Sequence, residues 1–247
     1  MTISNTGPDH PAGTASAHRL WVAALLGGLL ASPLTWVTGE ASVDQFRAKE
    51  VRDPLSETVD MAGINRVIVK NAALTHGVQG AILGLILGLA GGLTVRPVRM
   101  ARLAGLSGLL LGGALGAAGS FGLFTAFQVL TDANSQDIIP SLVAHSGVAA
   151  LIGAAAGLAF GMGSGGRDLA VRAAIGGLIG AALGACLYEI VGAILFPVGK
   201  TGDPLAASGS ARLLWHGLVD LLAGLGAAAV ANSSPPSTGE ASSPTTP

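Results

Sequence analysis

Glycine recurs at every fourth position inside long apolar segments of this chain. One run is Gly80, Gly84, Gly88 and Gly92, and no charged residue interrupts it. Residues four apart lie on one face of a helix, so each run predicts a face of small residues against which another helix packs closely. In water, each such glycine would cost about 1 kcal/mol relative to alanine. In lipid the backbone has no other hydrogen-bond partner, so the helix persists and the pattern predicts membrane-spanning helices.

The composition agrees with a membrane protein. Of the 247 residues, 50% are hydrophobic and 11% are charged, and the 38 glycines are far above the usual share of about 7%. The formal net charge of −1 provides no basic surface, so we expect no nucleic-acid partner. The glycines that we expect to form helix-packing (GxxxG) faces are Gly80, Gly84, Gly88, Gly92, Gly108, Gly112, Gly116, Gly153, Gly157, Gly161, Gly176, Gly180 and Gly184.

Six apolar segments are each near the length of about 20 residues that crosses a bilayer. They occupy about 20–38, 72–95, 103–130, 140–163, 169–197 and 211–231. We therefore predict an all-α fold, a polytopic integral membrane bundle of six transmembrane helices over 20–231. A polar segment at about 39–71 lies outside the spans, and its apolar residues from Met61 onward keep helical spacing into the second span. The tails 1–19 and 232–247 are rich in Ser, Pro, Thr or Gly and are predicted to be disordered.

The first segment has an alternative interpretation as a cleaved signal peptide. Arg19 would then be the basic region and Gly39-Glu40-Ala41 the cleavage site, and five spans would remain. Its stretch of about 18 apolar residues exceeds the usual 7–15 of a signal peptide, so we favour a span.

The distribution of basic residues predicts the orientation of the chain. Arg96, Arg99 and Arg102 follow the second span, and Arg167 and Arg172 follow the fourth, which by the positive-inside rule places both termini in the cytoplasm. The first loop opposes this orientation with five basic residues: Arg47, Lys49, Arg52, Arg66 and Lys70. We expect an integral protein of a bacterial inner (cytoplasmic) membrane, with the lipid bilayer as its surroundings.

An internal repeat is visible when the chain is shifted against itself. A shift of 69 residues aligns span two with span four, placing His76 on His145 and Gly84 on Gly153. A shift of 68 aligns spans three and five, and span six begins with His216-Gly217 as span two has His76-Gly77. The simplest interpretation is a two-helix unit used three times in parallel orientation, although any two Gly/Ala/Leu helices share identities by chance.

The repeat places three histidines at one depth in the outer half of the bundle, with other polar residues about one turn deeper. Polar and ionisable groups inside a membrane are costly, so they are candidates for function. The candidate ligand- or proton-binding residues are His76, Gln79, His145, Glu189, His216 and Asp220. His216 and Asp220 are four apart and can pair directly. Taken singly, a histidine near a helix end within a bundle more often bonds a neighbouring backbone group and serves structure alone, so the case for a site depends on the three histidines occurring together.

Two kinds of ligand suit this polar layer. Neutral imidazoles with one carboxylate suit a divalent transition metal, with His76, His145 and His216 as the ligands. Without a metal the same groups could carry a proton, because histidine titrates near neutral pH. No resident cofactor is otherwise predicted.

Three classes of function remain open on the sequence. The first is a carrier or channel for a small solute, metal ion or proton. The second is a non-catalytic scaffold or assembly protein that binds a membrane protein partner, or a second copy of itself, through its glycine faces and first loop. The third is an intramembrane enzyme, which we do not favour, because the sequence contains neither HExxH nor GxSxG and no nucleophile–base pair is visible.

Overall fold

A computed structural model describes residues 17–47, 61–95, 98–130 and 138–233. The helices are α1 (Ala17–Ser42), α2 (Met61–Leu93), α3 (Val98–Leu130), α4 (Ile139–Ser164), α5 (Arg167–Leu195) and α6 (Gly209–Asn232). Each is long and apolar enough to cross a membrane, which confirms the predicted all-α six-helix bundle. Disorder was predicted for the two tails, and nearly all of their residues, 1–16 and 234–247, lie outside the described ranges. Residues 48–60 of the first loop also lie outside them.

The helices extend beyond the predicted spans at most of their ends. The largest difference is at α2, which begins at Met61 rather than near residue 72 and so includes the last part of the polar segment. Pro140 lies in the first turn of α4, where its missing N–H costs no hydrogen bond. Ser208 caps α6, accepting a hydrogen bond from the Ala211 N–H at 3.2 Å.

Helices consecutive in the chain run antiparallel and pack side by side. Three helices, α2, α4 and α6, lie toward the centre of the bundle. The other three lie around them, with α1 between α6 and α2, α3 between α2 and α4, and α5 between α4 and α6. As a result α2, α4 and α6 all begin at the same end of the bundle, which we call the histidine end.

The contact between α2 and α4 bears on the internal repeat. The two helices run parallel, with Gly91 against Phe160 and Gly92 against Gly163, offsets close to the 69-residue shift that aligns their sequences. A threefold two-helix repeat would produce this arrangement of inner and outer helices. The repeat itself remains a prediction.

Glycine residues lie where the helices approach most closely. On α2 and α3, a Cβ added to Gly84 would overlap the Gly108 carbonyl, and a Cβ added to Gly108 would overlap the Gly84 carbonyl in the same way. Similar pairs are Gly80 with Gly112, Gly153 with Gly177, and Gly176 with Gly226. The opposite helix faces carry exposed apolar side chains such as Leu30, Leu110 and Ile190, which suit a lipid environment.

Candidate functional site

The three histidines of the predicted polar layer lie at one cavity near the histidine end. His76 on α2, His145 on α4 and His216 on α6 are each at most 3% exposed, and all three line this cavity together with Tyr188 and Trp215. We call it the histidine cavity. Its volume of about 20 Å³, counted as room for the centre of a water molecule, is enough for about one water-sized occupant.

The indole of Trp215 lies at the centre of the rings around this cavity. Its ring centroid is 5.6 Å from that of His76, 5.3 Å from that of His145 and 5.2 Å from that of Tyr188. Phe124 of α3 packs against two of the histidine rings, stacked 5.7 Å from His76 and edge-on 5.1 Å from His145. Edge-to-face and offset pairs at these separations are favourable. The packed aromatic rings fix the positions of two of the three imidazoles.

Asp220 lies one turn deeper than His216 on α6 and is fully buried. Its carboxylate accepts hydrogen bonds from the Thr35 hydroxyl at 2.6 Å and from the Gln79 side-chain N–H at 2.8 Å. The Gln79 oxygen in turn accepts from the Trp215 indole N–H at 2.9 Å. This network joins α1, α2 and α6. It gives a hydrogen-bond partner to both carboxylate oxygens of Asp220 and to the side-chain nitrogen and oxygen of Gln79.

His145 is paired with Glu189 across the α4–α5 contact. Its Nδ1 lies 2.5 Å from the Glu189 carboxylate, whose side chain is 14% exposed. Ser141 stands beside both, with its hydroxyl 2.9 Å from Glu189 and 3.2 Å from the His145 Nδ1. A carboxylate on Nδ1 fixes the tautomer and orientation of an imidazole and leaves Nε2 for another partner.

The other two histidines differ in their hydrogen bonding. The Nδ1 of His76 is 3.0 Å from the Ser120 hydroxyl of α3. The Nδ1 of His216 is buried without a hydrogen-bond partner among the described residues. The spacing of His216 and Asp220 allows them to pair, but no hydrogen bond joins them in this part of the chain. Asp220 bonds Thr35 and Gln79 instead.

The α5–α6 loop, residues 196–208, covers the histidine cavity from outside the bundle. Pro204, Leu205 and Ala206 of this loop line the cavity, as does Arg212. The Arg212 guanidinium binds both oxygens of Glu40 on α1, at 2.6 and 2.7 Å, and donates to the Ala206 carbonyl at 2.6 Å. Such a two-pronged pair holds its partners in a fixed geometry. Arg212 thereby ties the loop and α1 together at the mouth of the cavity.

Outside the spans, the loop carries one acidic group with a perturbed pKa. Partial burial raises the pKa of the Asp203 carboxyl above its ordinary value, while the neighbouring charges of Lys200 and His145 act in the opposite direction. A second contact anchors this part of the loop, since the Ser141 hydroxyl is 3.1 Å from the Gly202 carbonyl.

Beneath the polar layer the bundle is filled by apolar side chains. Leu83 and Leu87 follow Gln79 by one and two turns on α2, and both are fully buried. On α4, Ile152 lies near the depth of Leu83 and Phe160 lies deeper, beside Gly91 of α2, and both are equally buried. The histidine cavity is therefore separated from the opposite end of the bundle by an apolar layer.

The structure brings the six predicted site residues into two connected groups. Gln79 and Asp220 form the deeper network, while the three histidines and Glu189 surround or adjoin the cavity. The described residues contain no group of three or more His, Cys, Asp or Glu side chains that could hold a metal ion, so the predicted metal site gains no support.

Several residues of the site were not identified from sequence. They are Thr35, Glu40, Ser120, Ser141, Tyr188, Arg212 and Trp215. A hydroxyl in a span usually bonds its own helix, so sequence alone does not single out Thr35 or Ser120. Comparison with known proteins adds no further assignment, because no family model, no curated protein and no solved structure matches the chain.

Proposed function

We propose that this protein is a carrier that moves protons, or a small solute together with protons, across the membrane. The observation that carries the proposal is the histidine cavity, in which one histidine from each of the three central helices lines a single small space. A free imidazole changes charge near neutral pH, which makes histidine the residue type best suited to take up and release protons. Glu189 is paired with the cavity-lining His145, and Asp220 is joined through Gln79 to the cavity-lining Trp215, so both belong to the hydrogen-bond networks that position the lining.

The apolar layer favours a carrier over an open channel. Leu83, Leu87 and their neighbours block a continuous polar path between the two ends of the bundle. A solute in the histidine cavity can reach the far side only if helices rearrange. Contacts between smooth glycine faces contain few interlocking side chains, so they allow helices to slide or tilt with little repacking. The proposal includes no catalytic step.

The scaffold alternative has less support. The glycine faces that would bind a partner are already in contact with helices of the same chain, as Gly84 is with Gly108. Residues 48–60 of the first loop, its second proposed docking surface, lie outside the described residues. No specific observation favours a scaffold over a carrier.

The proposed setting is a bacterial inner membrane with both termini in the cytoplasm. In the described ranges, Arg19, Arg99 and Arg102 lie near the end opposite the histidine end, as do Arg167 and Arg172. By the positive-inside rule these arginines favour a cytoplasmic location for the opposite end, against the described basic residues Arg47, Arg66 and Lys70 of the first loop at the histidine end. The histidine cavity would then open toward the outer side of the membrane.

Proton flux in reconstituted vesicles tests this function. Purified protein is placed in liposomes that contain a pH-sensitive dye, and an inward pH gradient in chloride medium drives proton entry, with potassium and valinomycin on both sides to prevent a membrane potential from building up. We expect wild type to change the internal pH faster than protein-free liposomes. Replacing His76, His145 and His216 together by glutamine should bring the rate down to that of protein-free liposomes, because glutamine keeps polarity but cannot be protonated.

His18→Gln is the matched control for this experiment. His18 is exposed at the start of α1, far from the cavity, and its replacement should leave the flux unchanged. The proposal is wrong if the triple variant, shown to be folded by its melting curve, conducts protons as fast as wild type. It is also wrong if wild-type vesicles show no flux in any salt.

A further inference from the structure

The polar side chains around the histidine cavity share one chemical property, which is that they carry hydrogen-bond donors. They include His76, His145, Tyr188, Arg212 and His216, whereas the single N–H of Trp215 is already donated to Gln79. Of the described residues that line the cavity, none is an aspartate or a glutamate. Hard cations in proteins are held by carboxylate and carbonyl oxygens, whereas anions are held by N–H and O–H groups. Imidazoles also bind transition metals, but the described residues contain no cluster of ligands that could hold one. The lining therefore suits an anion.

Each nearby carboxylate is engaged away from the cavity. Glu40 receives two hydrogen bonds from Arg212, and Glu189 is paired with His145. Asp220 accepts from Thr35 and Gln79 one turn deeper. None of these carboxylates is left to bind a cation in the cavity. Each instead holds a hydrogen-bond donor in place or pairs with a basic side chain.

His216 gives an independent indication of a ligand. It lines the cavity, is 2% exposed, and its Nδ1 has no hydrogen-bond partner in the described part of the chain. Its Nε2 faces α1, where a Cβ added to Gly39 would lie 3.2 Å away. A buried polar atom without a partner costs free energy, so Nδ1 is left for an occupant of the cavity.

The charges of the site determine what must accompany the anion. The positive charge of Arg212 is offset by Glu40, so added positive charge has to come from protonation of a histidine. An imidazolium buried without a counter-ion is costly, and so is a buried anion without one. The two therefore enter at lower cost together than separately. The other charged or titratable groups near the cavity are Asp44, Tyr188, Glu189, Lys200, Asp203 and Asp220.

We propose that the histidine cavity binds one small inorganic anion, of the size of a halide, together with one proton on a cavity histidine. The proton resides on an imidazole nitrogen and the anion lies beside it, so the net charge of the site is unchanged. The room for about one water-sized occupant limits the anion to one or a few atoms. This inference rests on the proposed function, since it names the solute that moves with the proton.

Chloride binding by the purified protein in detergent tests the inference. Melting temperature is measured while sodium gluconate, whose anion is too large for the cavity, is replaced by sodium chloride at constant ionic strength. We expect chloride to raise the melting temperature. Because one proton is bound with each anion, the apparent affinity for chloride should become about tenfold tighter for each unit by which the pH is lowered. His216→Gln and, separately, His76→Gln should lose this pH-dependent effect, and His18→Gln should keep it.

Three outcomes overturn the inference. These are equal melting temperatures in chloride and gluconate, a chloride effect that is independent of pH, and a chloride effect in both histidine variants that equals that of wild type. Vesicle measurements separate this inference from the proposed function. Proton flux that is the same in gluconate as in chloride rejects the anion and leaves proton transport standing. Chloride binding with the expected pH dependence but without proton flux supports the site and rejects transport.

Discussion

Replacing Gly108 by leucine should prevent the bundle from assembling. A Cβ at this position would already fall within van der Waals distance of the Gly84 carbonyl on α2 and 2.7 Å from the Ala159 Cβ on α4. One of these neighbours is a backbone atom and the other is a Cβ attached directly to a helix, so neither can move aside alone. The larger side chain can be accommodated only if whole helices separate. We expect a loss greater than the about 1–3 kcal/mol caused by extra methylenes in a packed core. The variant should be recovered as aggregate or as an early-melting species in detergent.

Gly122→Leu is the matched control on the same helix. Gly122 is exposed on α3, and a Cβ there would meet nothing within 4 Å. Since leucine is also the better helix former, this variant should melt at or slightly above the wild-type temperature. The importance of the glycine contacts would be refuted if the two variants had the same melting temperature.

Replacing Asp220 by leucine should destabilise the protein although it removes a buried charge. The Gln79 side-chain N–H would lose its acceptor in a fully buried position. The Thr35 hydroxyl has a second acceptor, the Ser32 carbonyl at 3.0 Å, so it would lose less. A buried donor without a partner costs about 1–3 kcal/mol, and we expect a loss of that size in the free energy of unfolding, measured by melting in detergent.

Asparagine at position 220 should give an intermediate result. Its amide oxygen can still accept one of the two hydrogen bonds, so Asp220→Asn should melt between wild type and Asp220→Leu. Asp168→Leu is the control, because Asp168 is exposed in the first turn of α5 and belongs to no buried network. If Asp220→Leu were as stable as wild type, the network of α1, α2 and α6 would not contribute to folding.

The fold could be predicted from the sequence because its main determinants are local. The length and apolarity of a segment decide whether it spans a bilayer, and α3 runs over Val98–Leu130 where the sequence predicts 103–130. The bounds of α2 were less accurate, because the polar residues Arg66 and Lys70 interrupt the apolar pattern without interrupting the helix.

The candidate site could be predicted only in part. The depth of His76, His145 and His216 follows from their positions in the spans, and the three line one cavity. Their partners depend on which helices are neighbours, and the sequence contains no direct signal for that. Thr35 pairs with Asp220 only because α1 packs against α6. The covering α5–α6 loop is equally a product of packing.

Titration of the histidines by nitrogen NMR tests most directly whether the three imidazoles share one protonatable site. Protein labelled with ¹⁵N at histidine is titrated in detergent, as wild type and as His76→Gln. Groups that share a small cavity influence each other's protonation, so the titration midpoints of His145 and His216 should both move in the variant. The midpoint of the exposed His18 should stay in place. Unchanged midpoints for His145 and His216 would mean that the histidines titrate independently, which would contradict a shared proton site.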